Sequence, residues 1–306
     1  MDKRTLLQTL AAASVAAIMP PAAGATTPAE DAEPTGPMPV LEPLHAPADA
    51  DIPVAFLLSD TAVVIDFAGP WEVFQDVVVS GRANPNPFRT YTVAETMRPI
   101  KASGGLTILP NYTLATAPPP KVVVIPAQDD SSPAVLAWIR QTAPHADMVM
   151  SVCTGAFLLA KTGLLAGKPA TTHHGAYAEL AMDHPDIAVQ RGARFVDNGS
   201  VASSGGLSSG IDLALHIVAR YFGRAIAANT ADTMEYQGTG WMNPGSNAAH
   251  AKRRVSSREH PCCAVCEMDV DARTAPASDY HGKHYLFCGL PHQALFVAHP
   301  DRFAIG

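Results

Sequence analysis

The sequence is short of charge, of basic residues in particular, and of cysteine. Only 16% of its 306 residues are charged, and the formal net charge is −7. A chain with so little positive charge gives no electrostatic reason to expect a nucleic-acid partner. Beyond the N-terminus, no apolar run has the length of about 20 residues that a membrane-spanning helix needs. The sequence has no internal repeats. Four of the five cysteines follow residue 261, which excludes a disulfide framework spread through the fold.

The N-terminus has the pattern of a secretory signal. Lys3 and Arg4 precede an uncharged apolar run over 5–19, and small residues follow up to Ala25. This order predicts export to the periplasm, by the Sec or the twin-arginine route, with cleavage after Ala25. The alternative is a retained membrane anchor. Residues 26–50 are rich in proline, alanine and acidic residues without periodicity, which predicts a flexible linker.

From residue 51 onward, short apolar segments alternate with segments of helical spacing. This alternation is typical of an α/β domain whose mostly parallel sheet is covered on both faces. The first helix is expected to begin at Gly69 or Pro70, since proline suits a first helical turn. A later helix is expected to end at Gly223. The pattern predicts this domain over 51–237, a linker over 238–260 and a small Cys/His-rich module over 261–306.

Cys153 lies where a buried strand passes directly into a helix. The small residues Thr154, Gly155 and Ala156 allow a tight turn, as in the nucleophile elbow of hydrolases. The helix N-terminus is expected to lower the pKa of the thiol and to offer N–H groups to an anion that forms on a substrate. The alternative is a buried, inert cysteine.

Three segments, 63–74, 151–174 and 203–218, resemble the ThiJ/PfpI superfamily, a relative of class I glutamine amidotransferases. The likeness is greatest to isocyanide hydratases and to the amidotransferase-like domain of some helix-turn-helix regulators. It implies a flavodoxin-like three-layer sandwich, a catalytic domain without cofactor, a small-molecule substrate and a homodimer. The segment after the domain is not a helix-turn-helix, so the likeness to regulators does not extend to their DNA-binding half.

In isocyanide hydratases the elbow cysteine, the threonine after it and an aspartate in a D-x-x-G-P segment carry the reaction. These places match Cys153, Thr154 and Asp66, so the resemblance implies attack of a thiolate on the isocyanide carbon with Asp66 exchanging the proton. The alternative for Asp66 is a helix cap or turn residue.

For other positions the sequence leaves more than one role open. His173 falls where related domains have a TTH motif, so it is either a partner of Cys153 or a structural histidine. We interpret Asp212 as a helix cap or a structural hydrogen-bonding residue rather than a catalyst, while the SSGG run over 203–206 could line the pocket. The family often has Gly-Gly where Ala127 and Gln128 stand, in a loop that commonly helps to stabilise the anion. This departure leaves the substrate open.

The C-terminal cysteines have the spacing of a metal site. Cys263 and Cys266 form a C-x-x-C pair, and Cys288 is followed after four residues by His292. Three thiolates and an imidazole can complete a tetrahedral site for zinc or a soft site for copper(I). The alternative is a disulfide of Cys288 with Cys263 or Cys266, which export permits.

The same segment resembles the YHS domain, which accompanies metal-handling proteins and implies soft-metal binding. Glu267 replaces a glycine of that pattern, and His292 stands where a cysteine is usual, which shifts the expected preference toward zinc. The positions that fit are Met268, Val270, Tyr280, Gly282, Lys283, Tyr285, Phe287, Cys288, Pro300 and Phe303.

Together these features predict an exported cysteine-dependent enzyme of the isocyanide-hydratase kind with a metal-binding module. The alternative is a periplasmic metal-binding or stress-response protein without catalytic activity.

Overall fold

The computed structural model describes residues 41–48, 50–129 and 131–304. All of them belong to one compact unit. The predicted signal segment over 1–25 and most of the predicted linker over 26–50 lie outside the described residues. Within the described part, no helix has both the length and the apolar character that crossing a membrane requires.

The strands of the described part are mostly short. In chain order they are β1 (Ile52–Leu57), β2 (Phe88–Ala94), β3 (Ile100–Lys101), β4 (Thr107–Ile108), β5 (Tyr112–Thr113), β6 (Val122–Ile125), β7 (Met148–Ser151), β8 (Pro169–Ala170), β9 (Ala188–Val189), β10 (Phe195–Asp197), β11 (Val201–Ser204), β12 (Ala277–Tyr280) and β13 (Lys283–Leu286).

The α-helices of the described part lie between these strands and after them. They are α1 (Val64–Gln75), α2 (Pro133–Thr142), α3 (Gly155–Lys161), α4 (Tyr177–Asp183), α5 (Ser209–Phe222), α6 (Arg224–Thr233), α7 (Leu290–Ala298) and α8 (Pro300–Phe303).

The central sheet has the strand order β10-β11-β7-β6-β1-β2-β5. Neighbouring strands are parallel throughout, except that β10 and β11 form an antiparallel edge pair. All residues of β6 and β7 are buried, as expected for strands covered on both faces. The mostly parallel sheet predicted from the sequence is confirmed.

Successive side chains of the strands point into two separate apolar cores. Phe56 contributes to the core under α1, α5 and α6. Leu57, its neighbour, contributes to the core under α2, α3 and α4. The fold is therefore the three-layer α/β sandwich that the resemblance implies.

The prediction for the start of the first helix is wrong. Helix α1 begins at Val64, and Pro70 lies inside it rather than in its first turn. The Val63 N–H donates to the Ala127 carbonyl at 2.9 Å, and the Val64 N–H donates to Ser103 Oγ at 3.0 Å. These distant partners cap the helix and place Asp66 in its first turn.

Parts of both predicted linkers pack against the sandwich. Leu44 N–H donates to the Arg220 carbonyl at 2.9 Å. Trp241 is buried, and a Cβ at Gly240 would lie 2.7 Å from the Asp212 carboxylate. The segment around Trp241 is therefore fitted to the sandwich, while the domain boundaries predicted from the sequence stay predictions.

Residues 261–304, here called the C-terminal module, combine the β12–β13 hairpin with α7 and α8. Phe287, Phe296 and Phe303 form its core together with buried cysteines, and Ala178 and Met182 of α4 pack against this core. Helix α4 is therefore the part of the sandwich on which the module rests.

Candidate active site and metal centre

Cys153 lies in a strained turn between β7 and α3. Its φ of 58° is in the left-handed region, which costs a non-glycine residue about 1 kcal/mol or more. Its N–H donates to the Gly205 carbonyl at 2.9 Å. A Cβ at Gly155 would collide with the Ile125 carbonyl, so the turn needs a glycine there. This is the geometry of a nucleophile elbow.

The sulfur of Cys153 is largely shielded from solvent and accepts hydrogen bonds from the protein. The residue is 8% exposed. Backbone N–H groups of Thr154 and Leu207 and the side chain of Thr154 hydrogen-bond to the thiol. Leu207 itself has a positive φ of 45°. The two N–H groups form a site for negative charge on the sulfur or on an atom bound to it.

Asp66 is the acidic neighbour of this thiol. Asp66 is 0% exposed. Its Oδ2 accepts a hydrogen bond from the Ala127 N–H at 3.1 Å. Its Oδ1 is buried without a donor at hydrogen-bond distance, and the carboxyl group interacts with the Cys153 thiol. A buried carboxyl group with a free oxygen is suited to hold a proton and to pass it on.

The two groups titrate at unusual positions. Burial raises the pKa of Asp66 to about 7. Burial and then the negative charge of Asp66 raise the pKa of Cys153 to about 11. The lowered thiol pKa expected from the helix N-terminus is therefore not found, because desolvation outweighs the N–H groups. Between these two values the pair holds a single proton.

His173 is placed as a turn residue. Its Nδ1 accepts a hydrogen bond from the Gly175 N–H at 3.1 Å, and its ring lies 4.2 Å from that of His174. Among the described hydrogen bonds none joins His173 to Cys153. Thr172, one residue earlier, donates from Oγ1 to the Cys153 carbonyl at 2.9 Å. The TTH segment therefore supports the elbow through its threonine.

The loop of Ala127 and Gln128, where the family often has Gly-Gly, is held by Asp66 and by the end of β1. The Ala127 N–H is occupied by Asp66. Gln128 ties the loop to the end of β1, because its Oε1 accepts from the Ser59 N–H at 2.7 Å and its Nε2 donates to the Leu57 carbonyl at 3.0 Å. The backbone N–H groups beside the Cys153 thiol come from Thr154 and Leu207 instead.

A model of the DJ-1/PfpI family matches residues 53–220.

The chain belongs to the DJ-1/PfpI family.

Several relatives share this DJ-1/PfpI domain. Isonitrile hydratase of Pseudomonas putida is 31% identical over 188 residues, covering 60% of this chain and 78% of that protein. The HTH-type transcriptional regulator GbdR of Pseudomonas aeruginosa is 27% identical over 189 residues, again 60% of this chain but only 50% of the regulator. The family therefore includes an enzyme and a regulator.

Solved structures agree on the fold. A THiJ/PfpI family protein from Pseudomonas syringae has a TM-score of 0.55 at 26% identity, covering 67% of this chain and 81% of that one. Drosophila melanogaster DJ-1beta has a TM-score of 0.52 at 17% identity, covering 61% and 100%. The second likeness supports the fold alone.

Asp212 of the DJ-1/PfpI domain has the structural position that the sequence predicted. It is 1% exposed and pairs with Arg194, whose Nε lies 2.5 Å from Oδ2. Burial still raises the pKa of this carboxyl group, with the Arg194 charge opposing that shift. The pair ties α5 to the loop before β10.

The four predicted metal ligands come together in the C-terminal module. The ligand atoms of Cys263, Cys266, Cys288 and His292 all lie within 4.8 Å of one another. Cys266 Sγ is 3.6 Å from Cys288 Sγ. His292 Nδ1 is 3.6 Å from Cys263 Sγ and 3.1 Å from Cys288 Sγ.

Two of these separations are close to those of tetrahedral coordination, and the contact of His292 Nδ1 with Cys288 Sγ is shorter. Zinc bonds of about 2.3 Å to sulfur and about 2.1 Å to nitrogen put two sulfurs about 3.8 Å apart, and a sulfur and a nitrogen about 3.6 Å apart. Hydrogen bonds from the Cys266 thiol and from backbone N–H groups lower the pKa of Cys263, which favours one thiolate in advance of a metal. The donor set suits zinc or copper(I). The five cysteines of the chain are free thiols in the structure, so none of them is joined in a disulfide there.

Proposed function

We propose that this chain is an exported, cysteine-dependent hydratase that adds water to the carbon of an isonitrile or a related C–N substrate, and that its C-terminal module is a metal-binding domain of the YHS type. The observation that carries the enzymatic part is the buried Cys153–Asp66 pair beside two backbone N–H donors. The 31% identity to an isonitrile hydratase supports the substrate class.

The pair can run the reaction with one proton. Asp66 takes the proton of Cys153, and the sulfur attacks the terminal isonitrile carbon. Asp66 returns the proton to that same carbon, giving a thioimidate, Cys–S–CH=N–R. The N–H groups of Thr154 and Leu207 stabilise the negative charge during this step.

Water completes the cycle. Asp66 takes one proton from the water molecule as the water oxygen attacks the thioimidate carbon, and passes this proton to the nitrogen. The carbon–sulfur bond then breaks as the second proton of the water molecule leaves the new hydroxyl group and passes through Asp66 to the sulfur, which releases an N-substituted formamide and restores the thiol. The net reaction consumes one isonitrile and one water and needs no cofactor.

The activity test uses the purified full chain with a simple alkyl isonitrile and, in parallel, small amides. Formamide production followed by NMR is expected for the wild type and is expected to fall by about 10⁴-fold or more in Cys153→Ala, as for loss of a catalytic nucleophile. Cys262→Ala is the matched control, since Cys262 is buried and lies outside both sites.

The same test distinguishes the proposed enzyme from the alternative, a non-catalytic metal-binding or stress-response protein. The high pKa of Cys153 and its 8% exposure favour that alternative, because such a thiol is unreactive by itself. If the wild type turns over neither isonitriles nor amides, the enzymatic proposal is wrong.

For partners we propose a small molecule, a metal ion and a second copy of the chain, and no nucleic acid. The net charge of −7 disfavours a DNA or RNA partner. This chain covers only half the length of the regulators it resembles. Light scattering tests the homodimer, and a monomer at micromolar concentration would contradict it.

Export remains a proposal that rests on residues 1–25. It places Cys153 and the C-terminal thiols in an oxidising compartment. Mass spectrometry of protein from a periplasmic extract is expected to show a mature chain that begins at Thr26. An intact N-terminus in the cytosolic fraction alone would contradict export.

A further inference from the structure

The proposed metal centre has one contact that comes from the DJ-1/PfpI domain. His292 Nε2 lies 2.6 Å from Oε1 of Glu179, a residue of α4. The side chain of His292 is 18% exposed, and that of Glu179 is 36% exposed. The ligand His292 belongs to the C-terminal module, so this hydrogen bond crosses from the module to the sandwich.

The two ring nitrogens of His292 have different partners. Nδ1 faces the sulfurs of Cys263 and Cys288, and Nε2 faces the Glu179 carboxylate. A metal needs the lone pair of Nδ1, so the proton of the neutral ring must be on Nε2, where Glu179 accepts it. A carboxylate in this position fixes the tautomer and the ring orientation of a metal-ligating histidine.

Other contacts join the same two surfaces. Arg191, in the loop after β9, donates two hydrogen bonds to Glu267 at 2.8 and 3.0 Å. Glu267 follows the ligand Cys266 directly, is 8% exposed, and has a φ of 65°, where glycine would be unstrained. The same carboxylate accepts a hydrogen bond from the Arg254 N–H at 3.0 Å, so Glu267 joins the loop after β9 to the segment that leads into the module.

Helix α4 is also linked to the elbow by a short path. Thr172, which supports the Cys153 carbonyl, lies five residues before Tyr177, the first residue of α4. Between them, a Cβ at Gly175 would lie 3.7 Å from the Cys266 carbonyl. The ligand loop, α4 and the segment that supports Cys153 therefore share contacts.

From these contacts we propose that Glu179 is a positioning residue for the metal, and that the metal centre is a joint between the C-terminal module and the DJ-1/PfpI domain. The inference rests on the proposed metal centre. Its consequence is that metal affinity depends on α4, and that a bound metal protects the backbone of α4.

The first measurement is zinc affinity of the full chain, by competition with a chromophoric chelator. Glu179→Ala is expected to weaken binding by about 10- to 100-fold, the usual effect of losing such a carboxylate. Glu179→Gln keeps a hydrogen-bond acceptor without the charge and is expected to fall between Ala and the wild type. Asp183→Asn, an exposed acid on the same helix, is the matched control and is expected to bind as the wild type does.

The second measurement is hydrogen exchange with and without zinc. In the wild type, zinc is expected to slow exchange of α4 amides, and in Glu179→Ala this slowing is expected to be lost while β1 exchanges as before. If the wild type binds neither zinc nor copper(I), the metal centre itself is wrong. If Glu179→Ala binds zinc as tightly as the wild type and α4 is still protected, the metal centre stands and the joint is wrong.

Discussion

Replacing Asp66 with asparagine is expected to lower kcat for isonitrile hydration by about 10²- to 10⁴-fold, the usual contribution of a general acid–base. Asparagine has nearly the same size and can still accept the Ala127 N–H. It cannot take the thiol proton or return it to carbon. KM is expected to change little, because Asp66 acts on the proton rather than on binding.

The dependence of kcat/KM on pH tests the role of Asp66 more directly, with the same variant. Below pH about 7 both Asp66 and Cys153 are protonated, and above about 11 both have lost their protons. Activity needs the state with one shared proton, so kcat/KM of the wild type is expected to rise through pH about 7. Asp66→Asn is expected to lose this rise. An unchanged rise in the variant would contradict the shared proton.

Stability provides the control for this variant. The folded-state pKa of Asp66, about 7, lies above its ordinary value of 3.8. Between these values only the folded form holds the proton, so the stabilisation is full below pH 3.8 and is lost as pH rises from there to about 7. The whole loss is about 4 kcal/mol, of which about 3 kcal/mol falls above pH 5. Urea unfolding at pH 5 and pH 8 is expected to show this loss in the wild type and not in Asp66→Asn. If Asp66→Asn is inactive but at least as stable as the wild type at pH 8, unfolding is excluded as the cause of its lost activity.

Changing Cys266 and Cys288 together to serine is expected to abolish metal binding. The wild type is expected to hold about one zinc per chain, since four ligands complete one tetrahedral site. The double variant is expected to hold almost none, by metal analysis of the purified protein. A chelator is expected to lower the melting temperature of the wild type only, because a bound metal adds to folding free energy.

Cys262→Ser is the matched control for the double variant, since it removes a buried thiol outside the ligand set. Retention of metal by the double variant would exclude this ligand set. Wild-type protein lighter by two hydrogens and without metal would show that a disulfide forms instead.

Much of the fold could be predicted from local pattern. The apolar runs of β1, β6 and β7 are buried on both faces, so their composition alone indicated a covered parallel sheet. The turn at Cys153 could be predicted because small residues follow a buried strand directly. The spacing of the C-terminal cysteines and His292 likewise predicted the group of possible metal ligands that the fold brings together.

The rest depended on contacts between distant segments. The start of α1 is set by Ser103 and Ala127, which no local pattern connects to Val64. Leu207 reaches the thiol only through the fold, and the SSGG run before it was the one available signal. The raised pKa of Cys153 follows from burial beside Asp66, whereas the local sequence indicates only the opposite effect of the helix N-terminus.

The most direct test of covalent catalysis by Cys153 is peptide-resolved mass spectrometry of the full chain, quenched during a single turnover of an alkyl isonitrile. An adduct of one isonitrile mass is expected on the peptide that contains Cys153, and is expected to be absent from Cys153→Ala. Formamide formed while the adduct lies only on Cys262, Cys263, Cys266 or Cys288 would contradict the assignment of Cys153 as the nucleophile.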